Sequence, residues 1–314
     1  MPIAAGPALV LAFVLASAGR DLWFGQAFQD HDLFAVAFVV FTAATVIFAA
    51  LALWRDPSQF LRLLRAWRLL LFVNAATAVG WLSYFQALAR LEPAVVNTLH
   101  AGIGPATIAV AAAWGVRAAR QDPLHGTERW VQAGVLLVLG ALVVIMLAGG
   151  AGFAPESMGQ RAAALAAALG SGVAITLALL ATKRLNALGI GSDGVLATRF
   201  LAVIVIAGGL AAGHGTLGAD LESDLFRIVA GGLLLIVLPV YLLQLGLART
   251  APITVEVLCA IGPVLIFAGQ MVEGRVPASS WVFTVVLAYV GLSAMGALLR
   301  WVAPVRAVSF SRQS

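Results

Sequence analysis

One cysteine, Cys259, stands in a chain of 314 residues, which excludes a disulfide framework and a Cys-based metal cage. Charge is also scarce. Asp, Glu, Lys and Arg make up 11% of the residues, where a soluble domain carries about 25%. So few charges cannot cover a water-facing surface, and 62% of the chain is hydrophobic with a mean hydropathy of +1.01. The composition predicts an all-α integral membrane protein. The apolar runs are too long for barrel strands and do not alternate. Enzyme signatures are missing as well: there is no HExxH, no GxSxG, no paired intramembrane Asp motif and no phosphate-binding GxxxxGK. No cofactor or metal is expected. The net charge of +5 is read as membrane topology rather than nucleic-acid binding.

What is present is long apolar runs. About 20 apolar residues cross a bilayer, and ten stretches qualify, near 3–19, 33–54, 68–89, 93–114, 130–148, 162–182, 193–213, 227–247, 252–271 and 280–301. The first is followed by Ala16-Ser17-Ala18, which resembles a signal-peptidase site, but no Lys or Arg precedes it. It is read as a retained helix, and the helix count below requires it. With the N-terminus in the cytoplasm, 14 of the 19 Lys and Arg residues fall on the cytoplasmic side and 5 on the other. That is a positive-inside distribution, and both termini are predicted to be cytoplasmic. Arg199 is counted here as a cytoplasmic charge. The pair Arg20 and Asp21 is placed at the outer end of helix 1 as an interfacial anchor. Asp193 is assigned as the cap of helix 7.

The chain repeats itself. ALARLEP at 87–93 matches GLARTAP at 246–252, and with a one-residue shift Ile103-Gly104-Pro105 matches Ile261-Gly262-Pro263. Trp130 precedes Gly140 by the same ten residues that separate Trp281 from Gly291. The first copy joins helices 3 and 4 and the second joins helices 8 and 9. Two units of five helices follow, 1–150 and 151–314. Five is odd, so the second unit begins on the opposite side of the membrane and the repeat is inverted. Inverted repeats are common in secondary transporters. Pro93 and Pro252 fall in a first helical turn, where proline is tolerated. Gly104, Pro105, Gly262 and Pro263 lie mid-helix, where proline frees a carbonyl. They are candidate hinges, with close packing as the alternative.

These features resemble the drug/metabolite transporter superfamily of EamA type. They are ten helices in an inverted five-plus-five repeat, the Leu-Pro links before helices 4 and 9, and Glu273-Gly274 followed by Pro277, Trp281 and Gly291. The likeness covers the whole chain and extends to the ten-helix amino-acid and metabolite exporters, the bacterial aromatic amino-acid branch among them. The first half departs from the pattern: after helix 4 it reads AWGVRAARQDP, with no Glu at the Gly-Glu position. The resemblance implies a bacterial inner-membrane exporter of small organic solutes with a central cavity.

Polar residues at membrane depth are functional candidates. Asn74, Thr77, Trp81 and Tyr84 share one face of helix 3, and Asn97, His100, Gly104 and Thr107 one face of helix 4. Helix 8 adds Tyr241 and Gln244, and helix 9 adds Glu256, the repeat equivalent of Asn97. Together they are predicted to wall one site for a zwitterionic or neutral solute. For each alone, interhelical hydrogen bonding is the alternative. Glu256 is either a buried proton or amine acceptor or a first-turn acid beside Arg249. His100 is either a titrating group or a packing residue. Helix 1 has no carboxylate before Asp21, which weighs against a proton-coupled drug exporter. A passive channel and an intramembrane enzyme using His100 and Glu256 are the remaining alternatives. The expected partners are a small-molecule substrate and membrane lipid, with a monomer or weak homodimer as the assembly.

Overall fold

In lipid every backbone N–H and C=O must bond within the chain, so apolar segments of this length become helices. The computed structural model describes residues 5–120, 126–149, 157–217, 219–247, 258–274 and 279–302. Among these the chain is helical, with no strand. In order the elements are α1 (Ala5–Asp30), α2 (Leu33–Arg55), α3 (Ser58–Arg65), α4 (Trp67–Leu88), α5 (Pro93–Gly102), α6 (Gly104–Ala113), α7 (Arg117–Arg120), α8 (Gly126–Leu147) and α9 (Met158–Ala187). Then come α10 (Ser192–Thr198), α11 (Leu201–His214), α12 (Ala219–Gly232), a π-helical turn at Leu233–Val237, α13 (Leu238–Leu247), α14 (Gly262–Glu273) and α15 (Ser280–Val302).

Nine helices among the described residues are long and apolar enough to span a membrane. The expected ninth span begins outside the described residues, and its described part, Leu258–Glu273, is shorter. The proposed boundary between the two halves, at residue 150, also lies outside them.

Local chemistry sets the helix ends. The Asp32 carboxylate accepts from the N–H groups of Phe34 and Ala35 at 2.9 and 3.0 Å and caps α2. Ser157 and Gln160 form a capping box on α9. Pro93 opens α5 in its first turn. Gly274, at φ +66°, closes α14 in the left-handed conformation that favours glycine. Asp193 is not a cap. Gly191 holds that position, and Asp193 sits in the first turn of α10.

Two expectations about helix 1 and helix 7 need correction. Helix 1 does not stop at residue 19; it runs unbroken to Asp30, with a span of Gly6–Phe28. Arg20 and Asp21 therefore lie inside the span, not at its rim. Arg199 is no rim charge either. It is 9% exposed, at the junction of α10 and α11 within the span Ser192–His214.

The helices pack in recurrent pairs: α4 with α9, α1 with α13 and α14, α5 with α9 and α14, α2 with α10 and α11, and α8 with α15. The core between α1, α2, α4 and α11 is aromatic. Phe24, Phe28, Phe41, Phe85 and Phe200 form a chain of ring contacts with centroids 4.8–5.9 Å apart. Small residues allow the closest crossings, as expected where van der Waals contact rather than the hydrophobic effect holds helices together. At Gly172 a Cβ would lie 2.2 Å from the His100 carbonyl oxygen, so α9 runs directly against the α5 backbone.

Candidate functional site

A buried polar cluster forms where α1, α4, α5 and α9 meet. Its centre is Asp21, with no exposure, seven residues before the end of its span and so about 10 Å inside it. The Arg20 Nε donates to Asp21 Oδ1 at 2.8 Å, and the Asn97 amide donates to Asp21 Oδ2 at 2.8 Å. The Arg20 guanidinium lies 5.4 Å from the Trp81 ring centroid and 5.8 Å from that of Tyr84, within cation–π range. The Asn97 amide also donates to the Tyr84 hydroxyl at 3.4 Å. Tyr84 meets the His100 ring edge-on at 4.7 Å.

His100 Nδ1 lies 2.8 Å from Ser171 Oγ, and that hydroxyl donates to the Ala168 carbonyl at 2.6 Å. A hydroxyl has one proton to give. Ser171 therefore accepts from His100, which fixes the proton on Nδ1 and leaves Nε2 as an acceptor. The cluster thus offers a guanidinium, a carboxylate, an amide, a phenol and an imidazole acceptor within one largely buried region.

Of the residues expected at one site, Trp81, Tyr84, Asn97 and His100 come together here. Asn74 and Thr77 belong to a second group. Asn74 donates to the Leu70 carbonyl and accepts from the Ala202 N–H, both at 3.1 Å, which satisfies a first-turn donor of α11. Thr77 accepts from the Arg199 guanidinium at 3.3 Å. The Arg199 Nε is buried without a hydrogen-bond partner among the described residues. Tyr241 stands 42% exposed on α13 and takes no part in the cluster. The Gln244 side chain and all of Glu256 lie outside the described residues.

The mid-helix prolines border this region. Helix 4 is interrupted at Ile103 between α5 and α6, and the helix that becomes α14 is interrupted at Ile261. A Cβ on Gly262 would lie 3.7 Å from Asn97 Oδ1, and one on Gly104 would lie 3.2 Å from Thr176 Oγ1 of α9. Each break therefore faces another helix of the central group.

A second buried carboxylate, Glu92, occupies the turn between α4 and α5 at 1% exposure. Gln270 of α14 donates to its Oε2 at 3.4 Å and accepts from the Ala94 N–H at 2.7 Å. Among the described residues Glu92 Oε1 has no hydrogen-bond partner. Burial pushes this carboxyl up from 4.5 to about 7, against a smaller opposing effect of the Gln270 hydrogen bond. A raised folded-state value means the fold takes up a proton. The stability from this group is full below the unfolded value near 4.5 and is lost as pH rises through about 7. Glu92→Gln should remove this dependence, leaving the variant more stable than the parent at pH 8 by up to about 3 kcal/mol. Thermal unfolding in detergent at pH 5 and pH 8 measures it; a parent without extra loss at pH 8 overturns the expectation.

Sequence reasoning missed Arg20, Asp21, Ser171 and Glu92 as site residues. For the first two a signal existed: apolar sequence resumes after them, as LWFGQAF.

No family of known sequences matches this chain, and no curated protein does. One solved structure, described only as the crystal structure of a protein, is similar over 94% of this chain and 97% of its own, with a TM-score of 0.64 at 21% identity. At that identity the likeness speaks to the fold alone, and it extends from end to end.

Proposed function

We propose that this chain is a secondary transporter of small zwitterionic metabolites, amino acids foremost, exporting them from the bacterial cytoplasm across the inner membrane by alternating access. The observation that carries the reading is the Arg20–Asp21 pair, bonded to Asn97 and ringed by Trp81, Tyr84 and His100 inside the bundle. Charge within a membrane span is costly and is retained where it handles a substrate or ion. A guanidinium and a carboxylate side by side complement the carboxylate and ammonium of an amino acid, and the neighbouring rings suit an apolar body.

The helix pairing supports an inverted repeat. Exchanging helix 1 with 6, 2 with 7, 3 with 8, 4 with 9 and 5 with 10 turns the contact of α1 with α13 into that of α9 with α4. It turns α1 with α14 into α9 with α5, and it returns α2 with α11, α5 with α14 and α8 with α15 to themselves. Gly104 facing α9 and Gly262 facing α1 obey the same exchange, since a Cβ on Gly262 would also approach Val14 at 3.9 Å. Such a pairing suits the drug/metabolite transporter superfamily. In this reading the two halves are related by a pseudo-two-fold axis, through which one arrangement would convert into its opposite opening.

Counterflow in proteoliposomes tests the proposal. Purified protein loaded with unlabelled amino acid on the inside should accumulate labelled amino acid transiently, and saturably, with and without a pH gradient. Conduction without counterflow would identify a channel. Absence of uptake for every amino acid, aromatic and aliphatic, would remove the substrate assignment.

A further inference from the structure

Where α4, α6 and α9 reach the end of the bundle that carries Arg55, Arg62, Arg65 and Arg68, a cavity of about 760 Å³ opens between them. Its origin is geometric. Helices α4 and α5 are joined at the opposite end by the short turn 89–92, and α4 packs against α5 more than against α6, so the two helices diverge toward this end. Helix α6 ends at Trp114. Gly115, at φ +89°, then reverses the chain, and the Val116 N–H bonds back to the Ala111 carbonyl at 2.9 Å. That return places α7 beside the opening instead of extending the helix into water.

The cavity is amphipathic along the membrane normal. Leu177, Leu180 and Ala181 of α9 form its inner wall, and Leu69 and Phe72 of α4 face them. Farther toward the helix ends the lining becomes cationic: Arg117, Lys183 and Arg184, all exposed, with no acidic side chain among the lining residues. Trp114 lies at the changeover and is 84% exposed, the position an aromatic ring takes at a membrane interface.

The direction in which the cavity faces follows from helical spacing. Ala162 and Ala166 are exposed on the outer half of α9. Steps of three and four residues from Ala166 reach Leu177 and then Arg184. The cavity therefore lies on the face of α9 where Ala162 and Ala166 are exposed, the orientation that a lipid-facing groove requires.

We propose that this groove is a binding site for an anionic phospholipid of the more basic, cytoplasmic side, with the phosphate on Arg117, Lys183 and Arg184 and the acyl chains along Leu69, Phe72, Leu177 and Leu180. Charge complementarity selects the occupant. Among the described residues no counter-ion accompanies the three cations at the mouth, and the wall below them is wholly apolar. A soluble anion would satisfy only the first feature and a zwitterionic lipid only the second. Basic pockets between helices on the cytoplasmic side are the kind of site that anionic headgroups occupy. The groove is separate from the Asp21 cluster, so this assignment and the transport reading stand or fall independently.

Native mass spectrometry of the purified full chain tests the site. The probes are dioleoyl phosphatidylglycerol, dioleoyl phosphatidylcholine and glycerol 3-phosphate. Phosphatidylglycerol adducts should survive collisional activation that strips phosphatidylcholine, and retention should exceed that of phosphatidylcholine by tenfold or more. Arg117→Gln, Lys183→Gln and Arg184→Gln should each cut that preference several-fold, and the three together should abolish it, with unfolding temperature unchanged because all three side chains are exposed. Lys183→Arg should preserve it. Equal retention of the two lipids, an undiminished preference in the triple variant, or competition by glycerol 3-phosphate at the same concentration as the lipid would each overturn the assignment. Should the triple variant fail to fold, the three single variants decide the matter alone.

Discussion

Asp21→Ala is expected to destabilise the protein by about 3–5 kcal/mol, because it leaves the Arg20 guanidinium buried without its counter-ion. The Asn97 amide loses its acceptor in the same step. Replacing both members, Arg20→Met with Asp21→Leu, should recover most of that loss, since a buried pair exchanged for apolar side chains of similar volume is often neutral or better. The double variant therefore separates two roles. If the pair serves only to hold α1 against α5, the double variant will be stable and will retain counterflow. If the pair receives the substrate, it will be stable and inactive, and the latter is the expected result. Unfolding in mixed micelles gives the first quantity and proteoliposome counterflow the second. A loss below about 1 kcal/mol for Asp21→Ala would show that water screens Arg20 far more than its 14% side-chain exposure implies.

Gly172→Ala should be comparably severe, at about 3 kcal/mol or more. The added Cβ would meet the His100 carbonyl oxygen at 2.2 Å, the His100 carbonyl carbon at 2.9 Å and Ile103 Cγ2 at 2.5 Å. Two of these are backbone atoms that no rotamer change can move aside. Helices α5 and α9 would have to separate by about 1 Å to restore ordinary contact, and the hydrogen bond from His100 to Ser171 spans that same crossing. Gly80→Ala supplies the control. Its Cβ would meet Ile175 Cδ1 and Cγ1 at 2.6 Å but no backbone atom closer than 3.4 Å, so side-chain repacking suffices and a smaller loss of about 1–2 kcal/mol is expected. Equal unfolding temperatures for the two variants would show that the α5–α9 crossing relaxes as easily as a side chain.

The membrane class and the presence of the long apolar helices were legible because apolar runs are local features, whereas the end of helix 1 and the cap of helix 7 were not. Trp81, Tyr84, Asn97 and His100 were legible because turn-by-turn spacing puts them on single faces. Spacing did not reveal that α4 crosses two sets of partners. Asn74 and Thr77 share a face with Trp81 but meet α10 and α11, whereas Trp81 and Tyr84 meet Arg20. Arg20 and Asp21 were read as a helix end because paired charges ordinarily stop an apolar segment. What keeps them inside is mutual neutralisation and an amide 76 residues away, which no window of sequence contains. The same holds for Glu92, whose partner Gln270 lies 178 residues on.

The turn at Glu92 also has a mechanical meaning. Gln270 grips it from α14 while holding the first free N–H of α5, so α4, α5 and α14 are pinned together at one end, whereas the far tip of α4 is held by α9 instead, through Leu69, Leu70 and Val73 against Ala181 and Leu185. The arrangement is that of tongs with a fixed rivet. A helix of 22 residues such as α4 is a lever about 33 Å long, and a rotation of about 5° at the rivet displaces its far tip by about 3 Å. Angular changes too small to break a hydrogen bond at Glu92 would thus shift the opposite tip by most of the width of a methyl group.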